Sequence, residues 1–201
     1  LENYYLPNAG DLLELQVSPE TTSDRVHMSL VLHLLVGGSR MELGEPAEAL
    51  PHLEQALGLT RMLVDREPNN ARYARDWVGA HRSVGVALVG LGRFAEGRKK
   101  LEEGVRLAEN LATRDPMNGA AQAQLIECLH EWAKGSAKAA SAAKTTPARQ
   151  AELWREVVQI LTRGEKRLAA PELERIKPQF RDTAPEVNQE LREARSALAN
   201  A

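Results

Sequence analysis

One cysteine, Cys128, stands in 201 residues, so no disulfide can form within the chain and packing alone must hold the fold. Aromatic residues are scarce at 4 %, which leaves little of the bulk that sheet cores favour. No apolar run approaches the ~20 residues of a membrane span, so no membrane insertion is expected. No leader peptide is visible. Leu1 in place of an initiating methionine suggests a piece cut from a longer protein, any targeting segment having gone with the missing part. A cytoplasmic location is the expectation. The net charge of −2 speaks against a dedicated nucleic-acid or membrane-surface binder. The glycine-rich phosphate loops, the nucleophile elbow and the paired-histidine zinc motif are all missing, and no catalytic residue, metal site or cofactor is expected.

What the chain does have is a repeat. Val84 to Gly97 restates Val36 to Ala49 at one offset, 85 − 37 = 48, with Gly37/Gly85, Leu43/Leu91, Gly44/Gly92, Ala47/Ala95 and Glu48/Glu96 matching. The agreement continues without a gap through Leu53/Leu101, Leu63/Leu111, Arg66/Arg114, Pro68/Pro116 and Asn70/Asn118. A fixed period of this kind decides the architecture before any local reading does.

Each unit holds two amphipathic stretches. Tyr73, Trp77, Val84, Leu88 and Leu91 recur at helical spacing and predict a helix from about Ala71 to Leu91. After the Leu91-Gly92-Arg93 break, Phe94, Leu101, Val105, Ala108, Leu111 and Ala112 predict a second. Asp115-Pro116 ends it, because proline has no amide to donate and clashes with the preceding turn. Asn118 is placed to cap the next helix. Gly37 and Gly85 sit inside helices at a cost of ~1 kcal/mol each relative to alanine, which is tolerable where two backbones approach closely.

The series Gly37, Ala49, Leu53, Ala56 and Pro68, then Gly85, Gly97, Leu101, Gly104 and Pro116, resembles the tetratricopeptide repeat. The usual unit has about 34 residues; this one has fourteen more, so both helices gain roughly two turns. Long units with this turn and break are similar to arrays in large planctomycete-type bacterial proteins, some of which follow a serine/threonine kinase domain. The resemblance covers about residues 23 to 167. It implies an all-α fold, an α-solenoid of about three antiparallel helix pairs with a C-terminal capping helix.

The domain reading follows the repeat. Residues 1–18 read as the end of an upstream repeat or as an N-terminal extension, with Ser18 as cap and Pro19 as first helical residue of the next helix. The array takes 19–170, in units of about 19–67, 68–115 and 116–170. In the third unit Ala133 replaces the glycine, and Ala133 to Thr146 reads as a frayed extension or loop, the most mobile internal stretch. Allowing five inserted residues, Trp154 takes the place of Leu53 and Leu101. Residues 171–201 read as a proline-punctuated connector and a cap helix that opens on a Thr183-x-x-Glu186 capping box and carries Val187, Leu191, Ala194 and Leu198.

Candidate chemistry is thin. His33 and His81 are equivalent under the repeat and read as packing histidines. Cys128 aligns with Ala80 and reads as a core thiol; with Glu127, His130 and Glu131 it forms no complete zinc set. Arg93, Arg98, Lys99 and Lys100 interleave with Glu96, Glu102 and Glu103 as on a solvated helix face. Trp77, Trp132 and Trp154 fall on core-facing positions.

Function therefore comes from the resemblance. It implies a non-catalytic module that binds a peptide or protein on the concave face made by the first helix of each pair. Carried over by position, that face presents Val31, Leu34 and Met41, then Arg82, Val86 and Val89, then Glu127, His130, Lys134 and Lys138. The Lys/Asn pattern that clamps a C-terminal carboxylate in chaperone-binding members is missing, so the expected ligand is a mixed apolar and acidic segment. The alternatives are the regulatory tail of a serine/threonine kinase and a structural spacer.

Overall fold

The computed structural model describes residues 9–18, 20–142, 145–169 and 183–200. Among them are eight helices and no strand: α1 (Ala9–Leu13), α2 (Ser23–Glu42), α3 (Pro46–Arg66), α4 (Ala71–Gly90), α5 (Phe94–Arg114), α6 (Gly119–Ala140), α7 (Pro147–Leu168) and α8 (Thr183–Ala199). Consecutive helices pack against each other, and α4 also touches α2 and α6. Contacts along the pairs run in opposite directions. Arg66 at the end of α3 donates to Thr21 O before α2 begins (2.7 Å), and Gly104 lies beside Val78 and His81 while Gly97 lies beside Gly85. None of the helices is both long and apolar enough to cross a membrane.

The period governs the helix ends as well as the apolar stripes. Thr22, Asn70 and Asn118, each 48 residues apart, cap α2, α4 and α6 by accepting from Arg25, Arg72 and Ala121 N–H. Ser18 is therefore not the cap. Its own N–H donates to Thr21 Oγ1 (2.9 Å), and Arg66 straps this turn to the end of α3. Pro19 lies outside the described residues. At the other end of α2 and α4, Gly44 and Gly92 adopt φ of 75° and 74°. There Glu45 N–H reaches Arg40 O and Arg93 N–H reaches Leu88 O, both at 2.9 Å, closing each helix with a six-to-one bond. Leu43 and Leu91 sit just before these glycines and stay exposed.

The glycines inside the helices are crossing points. A Cβ on Gly37 would lie 2.5 Å from Leu53 Cδ2, and one on Gly85 2.6 Å from Leu101 Cγ. Leu53 and Leu101 are themselves repeat equivalents, and both are fully buried. One interhelical contact thus occurs twice. Around it, Ala49, Leu53, Val84 and Leu88 form one apolar cluster and Val26, Leu30, Leu59, Leu63 and Tyr73 another.

The third unit differs from expectation in two ways. Ala133 to Ala140 is helical, with Ala133, Gly135, Ser136, Ala139 and Ala140 buried. A stripe of small residues escapes a search for large ones, yet it lets α5 approach: a Cβ on Gly135 would lie 3.1 Å from both Leu101 and Val89. Ser141 and Ala142 leave the helix, and Thr146 caps α7. In α7 the buried leucine is Leu153, with Trp154 only half-buried beside it, so the burial pattern shifts by four residues (153 − 101 − 48) rather than five.

In α8, Val187, Leu191 and Ala194 are buried against α7 and the end of the core, and the opposite face is charged. The capping box at Thr183 turns on a side chain outside the described residues, as do the proline connector and residues 1–8.

Candidate functional site

Four of the residues carried over from the resemblance come together: Met41, Arg82, Val86 and Lys134. Arg82 and Val86 on α4 and Lys134 on α6 line a groove of ≈290 Å³ with Gly38 and Met41 of α2, Ser83 and Glu131. Helical spacing brings them there: residues 82 and 86 are four apart on α4, and 131 and 134 three apart on α6. The floor is apolar at Met41, Leu53 and Val86, and the rim is charged.

The rim cations are already engaged. Arg82 Nη1 lies 3.4 Å from Glu127 Oε2, and Lys134 Nζ lies 3.0 Å from Glu131 Oε1. Such exposed pairs contribute ~0–1 kcal/mol and re-pair easily. Arg82 Nε is buried with no hydrogen-bond partner, so one donor of this guanidinium is unused.

The other carried-over residues lie apart. Val31 is exposed on α2 and Leu34 packs on the two N-terminal clusters. Val89 is a correction: at 6 % exposure it belongs to the core, pressed on Gly97 and Gly135. Three residues on from Val86, it has turned inward. His130 holds α8 rather than facing outward; its Nε2 is 2.8 Å from Glu190 Oε2, and that contact raises its pKa. Glu127 is exposed beside Arg82, and Lys138 is exposed one turn past Lys134.

Two further readings change. Arg98 is not on a solvated face: its Nε donates to Ser136 Oγ (3.1 Å), its Nη2 to Glu156, and Ser136 Oγ also donates to Glu156 (3.1 Å). This part-buried network ties α5, α6 and α7 together. The three tryptophans are half-buried rather than central, with Arg61 over Trp77 and Arg163 over Trp132. Cys128 is fully buried, and burial pushes its thiol up to about 12, so it is inert as a nucleophile. Among the described residues no three metal-ligating side chains converge.

Sequence reasoning missed a larger cleft of ≈540 Å³, between α3 and α5 on the side of α4 that carries Trp77 and His81. Nine residues separate Trp77 from Val86, half a turn in phase, so the two hollows open on opposite faces of α4.

No family model and no curated protein matches the chain. One solved structure, described as a DHF58 filament, aligns over 94 % of this chain and 92 % of its own at 17 % identity and a TM-score of 0.41. A likeness that loose carries nothing about this chain's fold detail or assembly.

Proposed function

We propose that the chain is a tetratricopeptide-like interaction module whose helix pairs stack as a short solenoid, with α2, α4 and α6 forming the face that receives an extended peptide or protein segment. The observation behind this is the groove over α4, where an apolar floor at Met41 and Val86 lies between Arg82 and Lys134. An apolar side chain flanked by carboxylates suits it. The apolar contact supplies affinity and the rim charges supply on-rate and orientation.

A displayed library of random peptides, selected against the whole chain at fixed salt, tests the reading. Selected peptides should share an apolar residue next to Asp or Glu. Val86→Asp should weaken them on the order of tenfold or more, since a buried unpaired charge would replace the anchor. Arg82→Ala with Lys134→Ala should mainly flatten the salt dependence. Peptides that bind Val86→Asp as tightly as wild type would place the binding face elsewhere.

A further inference from the structure

The floor of the α3–α5 cleft differs from the same positions of the third unit. Forty-eight residues after Trp77 and His81 stand Leu125 and Leu129, both buried in the core. In α4 an indole and an imidazole take their place, and the helices above them stand apart.

The imidazole of His81 carries a visible cost. The residue is 8 % exposed, and its Nδ1 is cut off from water without a hydrogen bond. Glu103 Oε2 is 3.3 Å away but off the hydrogen-bonding direction. The equivalent Nδ1 of His33 has a ring partner, His52 Nδ1, at 3.1 Å, although His33 Nε2 is likewise without a partner; 48 residues on from His52 the chain has Lys100, whose ammonium accepts no hydrogen bond. A buried polar atom left unpartnered requires a physical account, and breaches of a protein's own packing rules concentrate at functional sites.

The cleft's electrostatics favour an anion. Arg61, Lys100 and Arg106 line it against Glu54 and Glu103. Lys100 and Glu103 offset each other at 3.3 Å, and Arg61 shares its Nε with Asp65 at 2.9 and 3.0 Å. Arg106 pairs with no acid among the described residues. His81 reports the local field: burial first, then Lys100 and Arg106 against Glu103, hold it down to about 4. Over the whole lining, the three cations Arg61, Lys100 and Arg106 face the two carboxylates of Glu54 and Glu103. Leu57 and Leu107 provide apolar walls, and the Arg61 guanidinium lies over the indole, 5.3 Å from its centroid, as a flat platform.

We propose that this cleft is a binding site for a small organic anion with a flat apolar body, its ring between Leu57 and Leu107 on the Trp77–Arg61 platform and its charged group at Arg106. The volume is that of a small-molecule site. The site is separate from the α2–α4–α6 groove and does not depend on that reading.

Anilinonaphthalenesulfonate is the probe, followed at the indole N–H resonances of the whole protein. Trp132 and Trp154 lie outside the cleft and serve as internal controls. Saturable binding that moves the Trp77 resonance alone is expected. The double variant Arg61→Ala/Arg106→Ala should weaken it on the order of tenfold, and the uncharged anilinonaphthalene should bind the wild type that much more weakly. His81→Leu installs the residue of the third unit; it should remove probe binding and raise the melting temperature. Equal movement of all three indoles, undiminished binding to the double variant, or a lower melting temperature for His81→Leu would each overturn the site.

Discussion

The α4/α5 and α6/α7 pairs close at equivalent places with different materials. In α4/α5 backbone meets backbone: a Cβ on Gly97 would lie 2.8 Å from Gly85 O, and one on Gly85 would lie 3.0 Å from Gly97 O. In α6/α7 Ala133 occupies the position of Gly85, and the polar chain Arg98–Ser136–Glu156 joins the helices instead. The helix ends differ likewise. α4 stops on Gly92 with positive φ, whereas α6 runs to Ala140 and is closed by Thr145 Oγ1 donating to Ala139 O at 2.8 Å. A crossing made of absent side chains fails when volume is added. One made of polar partners fails when a partner is removed.

The largest expected effect comes from adding volume. Gly85→Leu must displace Leu101 and spread the backbones at Gly97, and should cost ~3 kcal/mol or more. Gly85→Ala should still cost ~1–3 kcal/mol, although alanine favours the helix by ~1 kcal/mol. Urea midpoints read this directly. A Gly85→Leu midpoint equal to wild type would remove the backbone crossing from the α4/α5 pair and erase the contrast.

Acid separates the two ends of the molecule next. His81 titrates at about 4 when folded, below its ordinary 6.5, because of burial and Lys100. Between these values the unfolded chain holds the extra proton, so stability falls as pH drops from about 6.5 and levels off below 4, by ~3 kcal/mol in all. His33 shifts in the same direction, through burial and then His52. His130 shifts the other way, through its close contact with Glu190; its contribution is complete below the unfolded value and is lost as pH rises through the folded one. Lowering pH from 7.5 to 5 should speed hydrogen exchange in α2–α5 while leaving α8 docked. Undiminished acid sensitivity in His81→Leu would show that the proton goes elsewhere.

Removing a partner should hurt α6/α7 more moderately. Arg98→Ala leaves Glu156 and Ser136 short of a donor in a place where the Arg98 and Glu156 side chains are only 18 % and 23 % exposed. A loss of ~1–3 kcal/mol is expected, with Ser136→Ala nearer the low end. If Arg98→Ala melts with wild type, the third unit is held by apolar packing alone.

The residues that were legible beforehand are those whose role shows as periodicity. The 48-residue offset placed α2 to α5, the crossings at Gly37 and Gly85, and the cap at Asn118. Thr22 stood at that same offset from Asn70, yet Ser18-Pro19 drew attention because proline at a first helical position is the stronger local signal. The helix through Ala133–Ala140 was hidden because its stripe is made of alanine, glycine and serine, whose burial depends on a close neighbour rather than on their own hydrophobicity. The α3–α5 cleft was hidden because its residues come from three helices at no common spacing. Arg82, Val86 and Lys134 could be placed on one face by position, but not the ion pairs that now engage them.

Adjacent glycines in α2 give the smallest and sharpest test. Gly37 and Gly38 differ by one step, 100° around the helix. A Cβ on Gly37 would meet Leu53 at 2.5 Å, while one on Gly38 meets nothing within 4 Å. Both sites lose the same backbone entropy in folding, so helix propensity treats them alike and only packing separates them. Gly38→Ala should stabilise by ~0.5–1 kcal/mol, which for a chain of this size raises the melting temperature by about 1–4 °C. Gly37→Ala should lower it, because Leu53 is itself enclosed and cannot swing away freely. The difference between the two melts isolates what the backbone crossing requires. Gly38 also lines the α2–α4–α6 groove, so the stabilised Gly38→Ala protein should keep its affinity for selected peptides only if the ligand rests on Val86 and Met41 rather than against the α2 backbone.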